Sequence, residues 1–356
     1  SLADPHSFRE FNRSITSLDP LSFSTRVSYK QRLFHDQRRT GLTEAVVTGI
    51  CAIGGSPAVL IALDFGFMGG TMGCVVGEKI SLALEQAVKR KLPAIAIVTS
   101  GGARIQEGAL SLMQMAKTAI AASQINDSGL PFISVLANPT IGQAYASFAN
   151  LADIILAEPG TIIGFSTPRI IKEASAQPLP KGSHTAESHM QHGMLDAVVD
   201  RTQLKDLLAV LLDLLNPQYQ LTLRQKGRAR QAEPKPHQAW LSVQLARHGS
   251  RPSSLDYIGS IFNNFVELHG DRAFGDDEAI VCGLGHLGGQ TVMVIGQERG
   301  RNKNATERHD GRTSPEGFRK ATRALKLASK FNMPLIALID TPGPFLGLDA
   351  EERGLG

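Results

Sequence analysis

Residues 92–103 (LPAIAIVTSGGA) and 333–344 (MPLIALIDTPGP) carry one pattern at a shift of 241 positions, and the helical stretches before them align at the same shift. The Gly54-Gly55 and Gly288-Gly289 turns lie 234 apart, so the second copy holds seven extra residues in its loop. A repeat of this length marks a duplicated structural unit. In the first copy an apolar strand over 57–64 (PAVLIALD) precedes a glycine-rich stretch (FMGGTMGCVVG), a helix over 78–91 and a second strand, AIAIVTS. In the second copy TVMVIG is the strand, followed by a helix over 315–331 and LIALIDTPG. The strands are too uniformly apolar to alternate, which predicts sheets covered on both faces and right-handed crossovers. Thr313 and Glu316 are spaced as a capping box, with Pro315 in the first turn. Ile80, Leu84, Ala87 and Val88, and Ala321, Leu325 and Ala328, recur at helical spacing and read as core.

The first copy continues with a helix pattern over 102–125, the strand FISVLA, a helix over 144–151, a strand pair in ADIILAEPGTIIGF and a helix over 204–215. The repeat therefore calls for about a hundred more residues after LIALIDTPG, while the chain stops at Gly356. The expectation is a first domain over 1–223, a basic linker and lead-in helix over 224–251, and the first part of a second domain over 252–356. Residues 224–251 hold seven Lys or Arg and one acid. They read as a solvated linker, with a basic patch for a phosphate-bearing ligand as the alternative.

Composition narrows the function classes. Of 356 residues, 42% are hydrophobic and 20% charged, enough apolar surface for sizeable cores. A net charge of +4 does not by itself imply nucleic acid. No apolar run approaches the ~18 residues of a membrane span, and the first residues lack a signal-peptide pattern, so the expected location is cytoplasmic. Cys51, Cys74 and Cys282 are scattered and form neither a disulfide framework nor a zinc ribbon. P-loop, HExxH and GxSxG motifs are missing, and no GxGxxG follows a strand. His184, His189 and His192 lie in a polar loop without a nearby cysteine, and no metal is expected there.

What remains is backbone chemistry. Gly101-Gly102-Ala103 and Ile141-Gly142-Gln143 each follow an apolar strand and precede a helix pattern. Amides so placed suit the stabilisation of an enolate or another oxyanion without an acidic or basic side chain. The alternative is that these glycines only permit tight turns.

FMGGTMGCVVGEK, TSGGARIQEGALSLMQMAKTA, LPFISVLANPTIGQAYASFA and AEPGTIIGFSTPRII resemble the carboxyltransferase beta subunit of bacterial and plastid acetyl-CoA carboxylase. LARHGSRPSSLDYI, ELHGDRAFGDDEAIV, SPEGFRKATRALKLASKFNMP and IDTPGPFLGLDAEERG resemble the alpha subunit of the same enzyme. The likeness covers nearly the whole chain. It implies an α/β fold of tandem crotonase-type domains (a ββα superhelix), beta fused to alpha, with the second cut short at Gly356.

The implied activity is transfer of a carboxyl group from carboxybiotin, held on a separate biotin carboxyl carrier protein and charged by biotin carboxylase, to acetyl-CoA, giving malonyl-CoA. A homo-oligomer, with neither membrane nor nucleic-acid partners, goes with it. The family's PTxGG oxyanion loop falls on Pro139, Thr140, Gly142 and Gln143, with Gln143 replacing the second glycine. Its SGGAR loop falls on Ser100, Gly101, Gly102, Ala103 and Arg104. The resemblance gives backbone amides of Gly142, Gln143, Gly101 and Gly102 as catalytic, and Phe67, Met68, Gly69, Gly70, Ala103 and Arg104 as the CoA side. Arg104 meets a CoA phosphate or pairs with Glu107. Pro342, Gly343 and Phe345 are given to biotin. The family's four-cysteine zinc ribbon is missing, and no biotin-attachment motif occurs. A malonyl-thioester decarboxylase on the same fold and a non-catalytic carboxylase scaffold are the alternatives.

Overall fold

A computed structural model describes residues 2–174, 179–180, 182–216, 239–301 and 303–355. The chain divides into two compact units, one made of Ser1–Leu215 and Leu268–Asp276, the other of Asn216–Glu267 and Asp277–Gly356.

The strands of the first unit are β1 (Arg9–Phe11), β2 (Val46–Ile53), β3 (Ser56–Leu63), β4 (Ala94–Ser100), β5 (Phe132–Ile141), β6 (Ile154–Ala157), β7 (Ile163–Gly164) and β8 (Ala197–Val198). Its helices are α1 (Tyr29–Thr40), α2 (Cys74–Arg90), α3 (Ala109–Asp127), α4 (Gln143–Ala146), α5 (Pro168–Ala174), α6 (Ala186–Gln191) and α7 (Leu204–Leu214). Among the described residues the sheet runs β1-β2-β3-β4-β5-β6-β8, with β7 paired to β5. The β1-β2-β3 edge is antiparallel, and every later pairing is parallel. Ile95, Ala96 and Val98 of β4 and Phe132, Ile133, Val135 and Leu136 of β5 are all buried, as the unalternating apolar runs require.

The crossover α2 buries Val76, Ile80, Ala83, Leu84 and Ala87 and packs on α3 as well as on β2 and β3. It stops where Lys91 turns left-handed behind Lys89 and Arg90, basic residues that suit a helix C-terminus. A capping box between Ser28 and Gln31 opens α1, which closes on Gly41 at φ 72°.

The second unit carries β9 (Asn263–Leu268, whose last residue falls in the first unit), β10 (Ile280–Leu287), β11 (Gln290–Gln297) and β12 (Leu335–Leu338), in the order β12-β11-β10-β9. Its helices are α8 (Ala239–Ala246), α9 (Ser254–Ile261), α10 (Lys303–Glu307), α11 (Pro315–Lys330) and α12 (Leu348–Glu352).

The duplication is visible in hydrogen-bond register. The β2–β3 and β10–β11 hairpins are antiparallel and turn at their glycine pairs. Val59 pairs with Ala94 across β3 and β4, and Met293 pairs with Leu335 across β11 and β12. Val59 N–H donates to Pro93 O at 2.9 Å, and Met293 N–H to Pro334 O at 2.9 Å. Each pair of equivalents keeps the offset read from the sequence.

Local differences have physical causes. The helix expected over 102–125 is interrupted: Ile105–Glu107 forms a 3-10 turn, and Gly108 at φ 55°, ψ −137° separates it from α3. The pattern over 144–151 becomes the single turn α4 followed by a 3-10 turn over Phe148–Leu151. The cap of α11 is Ser314, whose hydroxyl accepts from Gly317 N–H at 3.4 Å, one residue beyond Thr313. Within the basic stretch, 224–238 lies outside the described residues. Among the described residues no helix is long and apolar enough to cross a membrane.

Candidate active site

The site begins with an irregularity in β5. Val98 pairs with Leu136, whereas Ser100 pairs with Thr140, so β5 carries two surplus residues between these pairs. Pro139 sits in the bulge, where its missing N–H breaks no ladder bond. Thr140 Oγ1 donates to Val98 O at 2.6 Å or Ala137 O at 2.7 Å, giving carbonyls at the bulge a partner inside the core. The bulge brings the end of β5 beside the end of β4. Gly142 has φ 68°, and a Cβ there would stand 2.8 Å from Gly102 Cα. Gly102, at φ 104°, faces it, so the two turns touch through bare backbone.

The amides of these turns divide into two classes. Gly101 N–H donates to Gly69 O at 2.8 Å, Gly102 N–H to Ser100 Oγ at 3.1 Å, and Gly142 N–H to Gly164 O at 2.9 Å. Three of the four amides named from the sequence therefore hold the fold together. Ala103 and Gln143 are different, because neither N–H donates to a partner among the described residues. They flank the Gly102–Gly142 contact. Both are half-buried or buried, so an acceptor reaching them would meet donors with little water to compete.

Phe67 to Gly70 form a left-handed corner, with φ of 47° at Met68, 67° at Gly69 and 61° at Gly70. Gly69 O receives Gly101 N–H, and Met72 N–H donates to Gly102 O at 2.8 Å, so this corner supports the Gly101–Ala103 turn from beneath. The Phe67 ring is fully buried and belongs to the core, with Arg104 Cζ 5.9 Å from its centroid. That ring has no solvent-facing surface.

Arg104 is fully enclosed. Its guanidinium makes a fork with Glu44, Nη1 to Oε2 at 2.9 Å and Nη2 to Oε1 at 2.7 Å. It also donates to Thr71 O at 2.8 Å and Tyr29 Oη at 3.2 Å, and stands 3.6 Å from Glu107. Burial opposes its charge, but Glu44 and Tyr29 outweigh burial and keep it protonated. Tyr29 is raised by burial. Glu107 is pushed up by burial, but the Cys74 N–H and thiol, the Tyr29 hydroxyl and the Arg104 charge reverse this and hold it below the usual carboxylate range. Of the two readings of Arg104, the structure carries the pairing with Glu107 and adds a stronger partner. A guanidinium without solvent access presents nothing to a phosphate. Glu44, sixty positions from Arg104, has no sequence signal that links the two.

In the second unit, Phe345 N–H donates to Thr313 O at 2.9 Å and its ring lies 4.7 Å from that of His309. Gly343 takes φ 136° with nothing within 4 Å of where a Cβ would stand, and Pro342 beside it is exposed. The same unit contains a cleft of about 530 Å³ lined by Arg247, His248, Arg251, Arg299 and Arg301, with Asp310 and Asp340. Arg251 pairs with Asp340 and Arg301 with Asp256 at 2.5 Å. The cleft suits an anionic group, and sequence reading singled out only its first residues, as part of the basic stretch. His189 packs edge-on to Tyr145 at 5.7 Å, and burial holds its imidazole below the ordinary histidine range. No group of three or more His, Cys, Asp or Glu is placed to hold a metal ion among the described residues.

A family model described as acetyl co-enzyme A carboxylase carboxyltransferase-like matches residues 218–356. The acetyl-coenzyme A carboxylase carboxyl transferase subunits beta/alpha of Clostridium tetani are 43% identical over 358 aligned positions, covering 100% of this chain and 62% of the relative. Those of Saccharopolyspora erythraea are 42% identical, covering 100% of this chain and 63% of the relative. The chain thus spans somewhat less than two thirds of these fused proteins. The carboxyl transferase subunit beta of Desulforamulus reducens is 50% identical over 211 residues, covering 59% of this chain and 72% of that subunit.

Among solved structures, transcarboxylase 12S with hydrolysed methylmalonyl-coenzyme A bound matches at a TM-score of 0.76 and 24% identity, covering 99% of this chain and 66% of that one. A single-chain, multi-domain long-chain acyl-CoA carboxylase matches at 0.74 and 21%, covering 99% of this chain and 33% of that one. These share the crotonase-like α/β fold. By its kinship to a subunit that it covers to 72% at 50% identity, the chain belongs to the acetyl-coenzyme A carboxylase carboxyl transferase family.

Proposed function

We propose that this chain serves carboxyl transfer to acetyl-CoA, giving malonyl-CoA, and that its first unit holds the acyl thioester. One observation carries this reading: Ala103 and Gln143 offer two partnerless amides on touching turns that bear no titratable side chain other than the buried Arg104. A thioester oxygen accepting both N–H groups gains charge as the neighbouring methyl gives up its proton, which the biotin side would accept once its carboxyl group has left. Donors already fixed in place favour that charged form over the neutral thioester. Loss of one such donor costs on the order of 100- to 1000-fold in rate. The amides of Gly101, Gly102 and Gly142 contribute by rigidity, since each is spent on holding a turn.

Carboxybiotin, when bound, supplies the carboxyl group that is transferred. Gly343, open above its Cα, and Phe345, held by His309, fit the flat apolar edge of a bicyclic urea. Pro342 and Gly343 would flank it, and the arginine cleft would take a carboxylate or phosphate. A biotin carboxyl carrier protein, a biotin carboxylase, a homo-oligomeric assembly and a cytoplasmic location accompany this reading.

The test is consumption of malonyl-CoA by the full-length protein with and without biocytin. Acetyl-CoA formation that depends on biocytin supports carboxyl transfer. Consumption indifferent to biocytin assigns the amides to a decarboxylase instead, and absent acetyl-CoA binding by calorimetry removes the catalytic reading.

A further inference from the structure

Position 143 bears a side chain where the resembling loop has glycine, and that side chain turns into the protein. Gln143 is 3% exposed. Its Nε2 donates to Met72 O at 3.0 Å and to Ser111 O at 2.9 Å. Both partners are acceptors, so the carboxamide has one admissible orientation, and its Oε1 is left buried without a partner. Carrying that orphan is unfavourable. The two donors must offset it.

Met72 is the residue through which Ala103 is held. Met72 N–H donates to Gly102 O at 2.8 Å, and Met72 O accepts Arg104 N–H at 3.0 Å, so the peptides on both sides of Ala103 are tied to one residue. The side chain of Gln143 grips that same carbonyl from the other turn. Ser111 O adds a third anchor, in the first turn of α3. Gln143 is not left-handed, so a Cβ is tolerated there, in contrast to Gly142.

We propose that Gln143 is a positioning residue: its side-chain amide, through Met72, holds the backbone N–H groups of residues 143 and 103 in register for a single oxyanion. This rests on the oxyanion reading above, and it supplies a function for a side chain that the loop's glycine pattern does not call for.

Gln143→Met keeps the length and removes the donors. In the full-length protein, kcat for biocytin-dependent malonyl-CoA consumption falls about 10- to 100-fold, part of the cost of losing one donor outright, while KM stays within about twofold. Amide hydrogen exchange at residues 101–104 of the unliganded protein speeds up in the same variant. Gln143→Glu adds a pH signature. Its carboxyl can donate to Met72 O only when protonated, so its kcat rises relative to wild type as pH falls.

Unchanged kcat together with unchanged exchange in Gln143→Met overturns the proposal. If that variant does not fold, Gln143→Glu decides, and a kcat that tracks wild type across pH overturns it. A wild type without biocytin-dependent turnover refutes the oxyanion reading, whereas the exchange measurement still judges the coupling of the turns.

Discussion

Replacing Arg104 by methionine separates a structural from a ligand-binding role for a fully enclosed cation of the first unit. Removal strips Glu44 of a two-bond partner at 2.7 and 2.9 Å and leaves its fully buried carboxylate with the Ala45 N–H at 2.8 Å and the Ser17 hydroxyl. Thr71 O also loses a donor at 2.8 Å. Breaking one side of a buried pair of this kind costs about 3–5 kcal/mol. For a unit of this size, about 2–4 °C of Tm accompanies each kcal/mol, so the expected fall is roughly 6–20 °C. Glu44→Leu combined with Arg104→Met removes the charge stranded at Glu44, leaving Glu107 to its Cys74 N–H and Tyr29 hydroxyl, and the double variant lies closer to wild type than additivity allows, by about 1–3 kcal/mol. Urea unfolding at pH 7 measures all three. An Arg104→Met protein that melts like wild type but binds acetyl-CoA tenfold more weakly would refute the argument, since that is the behaviour of an exposed phosphate ligand.

Two further outcomes follow from the same geometry. Gly142→Ala forces a side chain into φ 68° and against Gly102 Cα at 2.8 Å; we expect a loss of about 1–3 kcal/mol and no measurable turnover, and a fully active, equally stable variant contradicts the touching-turn geometry. Glu107 is held below its ordinary value in the folded state, so its contribution is complete at neutral pH and fades as pH falls through the carboxylate range toward the folded value. Guanidinium unfolding at pH 7 and pH 3 should show that loss in wild type and a shallower one in Glu107→Gln.

The duplicated unit was legible because its signal is periodic and local. Apolar runs, glycine pairs and proline positions repeat at fixed offsets, and Val59–Ala94 and Met293–Leu335 carry those offsets into the ladder. The turns at Gly102 and Gly142 were legible as places for backbone chemistry, but which amides are open was not. That depends on acceptors far away in sequence, Gly69 O for Gly101 and Gly164 O for Gly142, and on the Ser100 hydroxyl. The same holds for Arg104, whose partner Glu44 sits at the edge of a different strand and carries no spacing cue. The cap of α11 moved from Thr313 to Ser314 because both residues suit the position, and the backbone at Ser314 (φ −80°, ψ 168°) selects between them.

The assignment of Leu268–Asp276 to the first unit means that the chain passes between its two units three times. Within that short segment Arg272 pairs with the buried Asp196, whose carboxylate also accepts Ile155 N–H at 2.8 Å, and Gly270 lies against Gly193. No single cut therefore releases either unit intact. A fragment ending at Leu215 takes Arg272 away from that acid, and one beginning at Asn216 brings a loop whose seat is elsewhere. Adding the peptide 268–276 back to the shorter fragment is the natural complement, since Arg272 meets Asp196 and Gly270 meets Gly193 only when both pieces are present.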